Sequence, residues 1–301
     1  MSFPAPRATP DPVSAFGLVL DSEFPLADLP AAQGGPRIPL RQGPVPAVLP
    51  EARSRGTLFQ ARPGTLLLNV PGVARFLVEQ GSTLTVEPVA GADPDDLAGW
   101  LLGPVVAALL QQRGSLVLHG AGVQLGTGAT LVLGGPGVGK STLALGLARK
   151  GRGVLSCDLC VLDEEARVAP GLPFVRAWDD AIRGLGMDPE GLPRARSDRP
   201  KRRVPLGERF VPRALPADRI LLLEVTDQAR PRLDPLESAR ERLQVLLEHT
   251  YRRAYLKGMG LLDRHFQQCR DLADRLPCQR LGRPEGMPCE AFAAWVAETL
   301  G

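Results

Sequence analysis

Four residues between positions 134 and 141 have the types and the spacing of a phosphate-binding loop. Gly134, Gly139, Lys140 and Ser141 satisfy the pattern G-x-x-x-x-G-K-[ST]. In such a loop the backbone N–H groups converge on phosphate oxygens, the lysine reaches the β- and γ-phosphates, and the hydroxyl coordinates Mg²⁺. The residues that we expect to bind the nucleotide are Gly135, Pro136, Gly137, Val138, Gly139, Lys140, Ser141 and Thr142.

The residues on either side of this loop have the pattern that its chemistry requires. Residues 130–133 are an apolar run with a β-branched start that predicts a buried strand, and the leucines and alanines at 143–148 predict a helix. The start of that helix would add partial positive charge beside the loop, which favours a di- or triphosphate. A chance glycine turn is the alternative, but strand, loop, lysine, hydroxyl and helix all occur in the required order.

An acidic side chain from another strand is expected to complete a Mg²⁺ site with Ser141. Two strand-like runs end on such a residue: residues 154–158 end on Asp158, and residues 220–224 end on Glu224. The C-terminal ends of strands line the ligand crevice of open α/β sheets, so either carboxylate could serve. The position relative to the loop favours Asp158, and Ser141 and Asp158 are therefore the predicted metal ligands.

His119 is a further candidate for chemistry. It lies in residues 115–123, which we interpret as a strand, a tight turn that holds His119, and the start of a second strand. A lone histidine at a turn is more often a satisfied structural residue than a catalytic one. His249 and His265 lie in helical patterns without a clear acidic third ligand, which is a poor basis for a metal site.

Composition is that of an ordinary globular protein. The 301 residues carry 36 basic and 33 acidic side chains, so the net charge of +3 gives no argument for nucleic acid or a membrane surface as a partner. The apolar runs are too short to cross a bilayer and no export signal is recognised, so we expect a cytoplasmic protein with five free cysteines. Cys157 and Cys160 form a C-x-x-C, for which two small buried residues are favoured over a redox pair.

The chain divides into three expected regions. Residues 1–15 are rich in Pro, Ser and Ala and predict a disordered tail. Residues 16–95 predict a small, mainly antiparallel β-rich domain, because short β-like runs such as residues 46–50 and 65–70 alternate with turn residues. Asp93 is typical of a helix start, with an apolar face as far as Gln112, and residues 96–301 are the expected nucleotide-binding domain. Within that domain, helical spacing predicts one helix over residues 236–256.

Three blocks of sequence, in this order and spacing, resemble the C-terminal domain of HPr kinase/phosphorylase. They are LHGAGV at 118–123, GGPGVGKST at 134–142 and RGVLSCDLCVLD at 152–163. The layout is similar over most of the chain to the wider set of HPr-kinase-like proteins, in which a small N-terminal region precedes the kinase domain. The resemblance implies an α/β fold with a P-loop kinase core related to that of phosphoenolpyruvate carboxykinase. It also implies a homo-oligomer, because HPr kinases assemble into rings.

The resemblance assigns roles to individual positions. His119 matches the family histidine before the loop, Lys140 and Ser141 match the nucleotide and Mg²⁺ residues, and Asp158 matches one member of an adjacent aspartate pair. Asp158, His119 and Lys140 are therefore the predicted catalytic residues. The other member of the pair is here Cys157, and a thiol removes a hard oxygen ligand. Either Asp158 performs both the metal and the base roles, or phosphotransfer is impaired.

Two later stretches bear on the substrate. Residues 182–186 resemble a family signature beginning Glu-Ile-Arg-Gly, but Ala181 stands at the glutamate position, which weakens the case for phosphorolysis and for HPr as substrate. Arg183 could contact a transferred phosphate or lie in solvent at a helix end. Residues 193–213 carry eight basic side chains; such a run is usually a solvated loop. The sharper hypothesis is that it folds over the nucleotide or peptide, with Lys201 or Arg202 neutralising charge.

The leading hypothesis is an ATP-dependent, Mg²⁺-requiring kinase that phosphorylates a serine or threonine hydroxyl in a peptide or small protein. One alternative is a nucleotide-binding module of the same fold that has lost phosphotransfer, as Cys157 indicates. A third class, an NTP hydrolase that drives a partner, predicts ADP without a phosphorylated acceptor.

Overall fold

The computed structural model describes residues 11–26, 28–32, 34–197 and 199–301. These residues form a mixed α/β protein with an eight-stranded sheet, a seven-stranded sheet and a two-stranded ribbon. The α/β class expected from the sequence is confirmed at this level. Among the described residues, every helix is too short or too polar to cross a membrane.

The eight-stranded sheet is built from the first part of the chain. Its strands are β1 (Val13–Ala15), β2 (Leu18–Ser22), β3 (Arg37–Gln42), β4 (Ser54–Arg55), β5 (Phe59–Arg62), β6 (Thr65–Val70), β7 (Ala74–Glu79) and β8 (Thr83–Pro88). They lie in the order β1-β2-β3-β8-β7-β6-β5-β4. The pairs β2–β3 and β3–β8 are parallel, and the other neighbouring pairs are antiparallel.

Two expectations for this region are wrong. The disordered tail predicted for residues 1–15 fails at its end, where Val13–Ala15 form β1; residues 1–10 lie outside the described part of the chain. Strand β1 forms because Phe16 and Gly17 have positive φ angles of 56° and 75° and turn the chain back onto β2. Residues 46–50 form no strand; Leu49 instead packs with Val45 and Leu67 in a small buried cluster.

A kinked helical segment leads from the first sheet to the second. Helix α1 (Pro94–Trp100) is capped by the Asp93 carboxylate, which accepts hydrogen bonds from two backbone N–H groups, as the sequence predicts. The helix expected to continue to Gln112 is interrupted by a π-helical turn (Leu101–Val105) before α2 (Val106–Gln112). Gly103 has non-helical angles there and Pro104 lacks an N–H donor, which explains the break.

The second sheet precedes and follows the predicted phosphate loop. The remaining strands of the fold are β9 (Leu116–Leu125), β10 (Gly128–Leu133), β11 (Gly153–Leu162), β12 (Arg167–Val168), β13 (Phe174–Trp178), β14 (Lys201–Pro205), β15 (Leu215–Thr226), β16 (Arg232–Pro235) and β17 (Cys278–Pro284). Strands β13 and β14 form the separate ribbon. The strand order of the second sheet is β10-β9-β11-β12-β15-β17-β16, and β10 also pairs in parallel with β15.

Six further helices complete the described fold. They are α3 (Lys140–Arg149), α4 (Asp179–Gly184), α5 (Ala239–Glu248), α6 (Arg253–Met259), α7 (Leu262–Arg275) and α8 (Cys289–Leu300). The single helix predicted for residues 236–256 is wrong, because Arg252 adopts a left-handed conformation with φ of 50° and separates α5 from α6.

Buried apolar side chains form three main clusters. The first extends from the eight-stranded sheet through α1 and α2 to β9 and β11, and includes Phe76, Leu109 and Leu159. The other two lie on opposite faces of β10. Val132 belongs to the cluster that includes α3 and α8, whereas Leu131 belongs to the cluster that includes α5 and α7. The phosphate-loop strand is therefore packed on both sides, which fixes where the loop begins.

Candidate functional site

The loop between β10 and α3 has the shape that its sequence predicts. Gly134 has a φ of 150° and Gly139, the residue before α3, has a φ of 107°, and both values strongly favour glycine. A Cβ at Gly134 would lie 2.6 Å from the carbonyl oxygen of Leu223, so this glycine allows the loop to leave the sheet against β15. Residues 135–137 are exposed, and the space beside Gly135 and Gly137 is open. The loop is therefore open to a ligand.

The Lys140 amine lies inside the loop. Its Nζ donates hydrogen bonds to the carbonyl oxygens of Gly134, at 2.7 Å, and Gly135, at 3.0 Å. Burial lowers the pKa of this amine, and the nearby Asp158 partly opposes that effect. A buried cation held by two neutral carbonyls can exchange them for phosphate oxygens, which carry charge. The residues of the loop and of the α3 start thus fit a polyphosphate.

Ser141 is in contact with a thiol. The Cys157 Sγ donates to the Ser141 Oγ at 3.3 Å. Burial raises the pKa of Cys157 to about 12, and the negative charge of Asp158 adds to the shift, so the side chain is a neutral thiol at pH 7. This group is a poor ligand for Mg²⁺, which prefers oxygen.

The C-x-x-C does not form a redox pair in this fold. Cys157 packs into the cluster with α3 and α8, whereas Cys160 packs into the cluster on the opposite face of the sheet. Burial also raises the pKa of Cys160 to about 12. All five cysteines are free thiols, as the sequence predicts.

His119 lies within a continuous strand, so the turn predicted for residues 115–123 is wrong. Strand β10 pairs with residues 121–125 of β9. At His119, where this pairing has ended, the backbone N–H donates a hydrogen bond of 2.7 Å to the His249 carbonyl oxygen, in the segment after α5. His119 therefore lies where the phosphate loop leaves the sheet. His249 itself holds this backbone contact, and its ring Nδ1 lies 2.7 Å from the carbonyl oxygen of Val245.

The His119 ring is held in one tautomer. Its Nδ1 lies 3.0 Å from the backbone carbonyl oxygen of Asp158. A carbonyl oxygen can only accept, so the proton is on Nδ1 and the lone pair is on Nε2. Burial lowers the pKa of His119, and the charge of Lys140 lowers it further, against a smaller opposing effect of Asp158. The ring is therefore neutral at pH 7 and can act as a base.

Asp158 lies in the middle of a strand. The prediction that it lies at the end of a strand is therefore wrong. Strand β11 continues to Leu162, and Asp158 has a φ of 71°, an uncommon value for a residue with a side chain. Its carboxylate lies 3.9 Å from the guanidinium of Arg176 on β13, and the two side chains are 20% and 14% exposed. The positive φ angle of Asp158 is not that of a regular strand, so β11 is locally distorted at the residue that carries this carboxylate.

Ser141 and Asp158 are the two side chains that the sequence predicts as metal ligands. Within the residues that the structure describes, no group of three or more His, Cys, Asp or Glu side chains could hold a metal ion. Mg²⁺ at a nucleotide site, however, needs one or two protein ligands together with phosphate oxygens and water. Ser141 and Asp158 therefore stay a predicted pair.

A cleft of about 770 Å³ lies beside the loop, and His119, Asp158 and residues 134–136 contribute to its wall. Trp100 and Gly103 of the kinked helix also line it. The cleft is also lined by side chains that we did not identify from the sequence, because they come from separate elements and form no local motif: Arg176, Glu248, Tyr251 and Arg252.

The basic stretch 193–213 is divided between two environments. Arg196, Arg199 and Lys201 line the cleft. Arg202 instead pairs with Asp179 at 3.0 Å, and Arg203 pairs with Asp95 at 2.8 Å. Of the two residues predicted to neutralise charge, Lys201 therefore lies at the cleft and Arg202 supports the ribbon.

Two other predicted candidates lie outside the cleft. Glu224, the second possible metal ligand, pairs with Arg280 at 2.8 Å and is not a cleft-lining residue. Arg183 is exposed on α4 and does not line the cleft either. The structure thus brings Asp158 and His119 to the loop and leaves Glu224 and Arg183 apart.

Comparisons with known proteins show a weak likeness to solved structures. No protein-family model matches the chain, and no curated protein matches it. Among solved structures, the HPr(Ser) kinase/phosphatase from Coxiella burnetii is similar with a TM-score of 0.31 and 10% sequence identity, over 60% of this chain and 94% of that protein.

Proposed function

We propose that this chain is an ATP- and Mg²⁺-dependent kinase that transfers the γ-phosphate to a serine or threonine hydroxyl of a peptide or small protein. The observation that carries the proposal is the shared cleft. Residues 134–136 of the loop, the neutral His119 ring and Asp158 all line it. A nucleotide on the loop and an acceptor in the cleft would therefore meet beside a base and a carboxylate.

The loop would bind the triphosphate through its backbone N–H groups, the start of α3 and Lys140. Ser141 and Asp158 would hold Mg²⁺, which supplies neutralisation of phosphate charge when it is bound. Lys140 already donates two hydrogen bonds within the loop, so phosphate oxygens would replace the two carbonyl partners.

His119 is the favoured base. In the proposed reaction the acceptor oxygen forms a bond to the γ-phosphorus, the bond from that phosphorus to the β–γ bridging oxygen breaks, and ADP leaves. The hydroxyl proton passes to Nε2 of His119, because Nδ1 already carries the proton that it shares with the Asp158 carbonyl. Asp158 would then be free to hold the metal, which supports a division of roles despite the thiol at position 157.

The proposal is tested by measuring ATP binding, ADP release and acceptor phosphorylation for the full chain. A serine-containing peptide pool with radiolabelled ATP detects transfer, and the Lys140→Ala variant provides the control. Transfer in the wild type that disappears in this variant is the expected result. Binding of ATP without any labelled acceptor, in the presence of active ADP release, would instead favour an NTP hydrolase.

The contact between Ser141 and Cys157 favours a second candidate, a nucleotide-binding module that has lost phosphotransfer. A neutral thiol occupies the place beside the metal-binding hydroxyl. If the wild type binds ATP without turnover and Cys157→Asp gains activity, this second function is supported and the first is rejected.

A further inference from the structure

We infer that the cleft selects an acidic peptide as the phosphate acceptor, with carboxylate side chains on either side of the reacting hydroxyl. The inference rests on the proposed kinase function and names its substrate class. It follows from the charge of the cleft, the origin of that charge and the way in which the charged groups are held.

The cleft is much more basic than the rest of the chain. Five cationic side chains line it against two carboxylates, Asp158 and Glu248. The whole chain, in contrast, has 36 basic and 33 acidic residues. A cleft lined by charges of one sign concentrates ligands of the opposite sign. The five cations are Arg176, Arg196, Arg199, Lys201 and Arg252.

The nucleotide does not account for this charge. The loop supplies its own positive groups, namely the backbone N–H groups, the start of α3 and Lys140, and Lys140 is not one of the five. The five cations come from β13, from the stretch before and at the start of β14, and from the segment after α5. They therefore surround the space next to the loop, where the acceptor would lie.

Three of the five cations are held against aromatic rings. The Arg196 guanidinium lies 4.7 Å from the Trp100 ring centroid, Lys201 Nζ lies 5.2 Å from that of Trp178, and the Arg252 guanidinium lies 5.9 Å from that of Tyr251. Side chains positioned in this way lose less conformational entropy when a ligand binds.

Ala195 and Ser197, on either side of Arg196, each donate a backbone hydrogen bond to another part of the structure. The Ser197 N–H donates to the Asp96 carboxylate at 2.8 Å, which attaches the stretch to α1, and the Ala195 N–H donates to the Lys201 carbonyl at 2.8 Å. Arg196 is thus carried by a segment that is attached both to α1 and to the start of β14.

The dimensions and the apolar part of the cleft suit a peptide. Its volume of about 770 Å³ lies high in the range of roughly 300–1,000 Å³ that is usual for ligand sites. Trp100, Pro104 and Tyr251 add apolar surface to its lining. A peptide with an acidic residue on each side of the acceptor hydroxyl could contact both this apolar surface and the cations.

The test compares two fluorescein-labelled peptides, Glu-Glu-Ser-Glu-Glu and Gln-Gln-Ser-Gln-Gln, by fluorescence anisotropy with the full chain. Binding is measured with and without a non-hydrolysable ATP analogue and Mg²⁺. We expect the acidic peptide to bind about tenfold more tightly, since two or more ion pairs contribute. Raising the ionic strength should reduce this preference.

Matched variants locate the preference. Arg199→Gln and Lys201→Gln should each reduce it severalfold. Arg213→Gln is the control, because Arg213 belongs to the same basic stretch but is exposed and does not line the cleft. Equal binding of the two peptides, or an equal loss in Arg213→Gln, would overturn the inference.

The outcomes also separate the inference from the proposed function. Binding of the ATP analogue without a peptide preference would leave the kinase proposal standing and reject the acidic acceptor. A peptide preference without binding of the ATP analogue would reject the kinase and leave an acidic-peptide site.

Discussion

The Cys157 thiol lies 3.3 Å from the Ser141 hydroxyl, beside the phosphate loop. The two residues come from β11 and from the first turn of α3, so the contact joins the loop to the strand that carries Asp158. A carboxylate in place of this thiol would put a hard ligand next to the hydroxyl that we propose as a Mg²⁺ ligand. The pair is therefore the most informative position at which to change the site.

Cys157→Asp should make the site respond to Mg²⁺. A carboxylate buried beside Ser141 without a cation is costly, so we expect the melting temperature to fall by several degrees and Mg²⁺ to restore part of the loss. Thermal unfolding with and without Mg²⁺ measures this. Cys157→Asn, which has the same shape without the charge, is the control, and an equal Mg²⁺ response in both variants would contradict the prediction.

Lys140→Ala should remove nucleotide binding while the fold is kept. The amine is the buried cation of the loop, and its loss should weaken ATP affinity about 100-fold or more, as measured by calorimetry. Lys150→Ala, at the other end of α3, removes a partly exposed pair with Glu290 and should leave affinity within about twofold. Similar losses in the two variants would rule out a specific role for Lys140.

Gly134→Ala should disturb the loop through its backbone. The new Cβ would meet the Leu223 carbonyl oxygen at 2.6 Å, and φ is 150°, so β10 and β15 must separate locally. We expect a lower melting temperature and weaker ATP binding. Gly135→Ala is the matched control because its Cβ would enter open space. A Gly134→Ala protein as stable as Gly135→Ala would show that the close approach is unimportant.

The rate of phosphotransfer should rise with pH through a pKa below 6.5 and then become constant. The pKa of His119 is lowered, mainly by burial. The imidazolium form therefore becomes the neutral ring at a lower pH than an ordinary histidine does, and the neutral ring is available as a base at neutral pH. His119→Gln should lower kcat about 100-fold and remove the rising limb of the kcat profile. A limb that persists unchanged in this variant would assign the base to another group.

Acid should destabilise the fold through His265. Its Nε2 lies 2.7 Å from Thr250 Oγ1, and burial lowers its pKa to about 4. Because His265 has a lower pKa in the folded state than in the unfolded state, its contribution to the free energy of unfolding is fully present above about pH 6.5. This contribution, up to ~3 kcal/mol, is lost as the pH falls from 6.5 to 4. Urea unfolding across this range measures the loss.

His265→Gln is the control for that experiment, since the glutamine amide can keep the hydrogen bond to Thr250 and does not titrate. The free energy of unfolding should then vary less between pH 6.5 and 4 than in the wild type. An identical slope in both proteins would mean that other groups cause the acid sensitivity.

The strand, turn and helix of residues 128–149 were predictable because the information for them is local. Residues 128–149 contain the strand, the glycines that need positive φ, the lysine and the helix in one continuous stretch. The cleft was not predictable, because Arg176 and Tyr251 reach it from β13 and from the segment after α5, which sequence spacing cannot relate.

Glycines explain why the region around His119 was misinterpreted. Gly120 and Gly122 resemble a turn in the sequence, but the structure uses them for close packing within β9. A Cβ at Gly120 would lie 2.7 Å from the Val132 carbonyl oxygen, and one at Gly122 would lie 3.0 Å from Ser156 Oγ. A glycine required by a distant neighbour has the same local pattern as a glycine required by a turn.

The first buried cluster, which extends from the eight-stranded sheet through α2 to β9 and β11, limits how the protein can be divided. Phe76 and Leu159 both belong to this cluster, and cutting the chain near residue 96 would leave them on separate fragments. Each fragment would then expose a large apolar surface to water. We therefore expect the isolated pieces to aggregate when expressed alone, and to recover solubility when they are co-expressed.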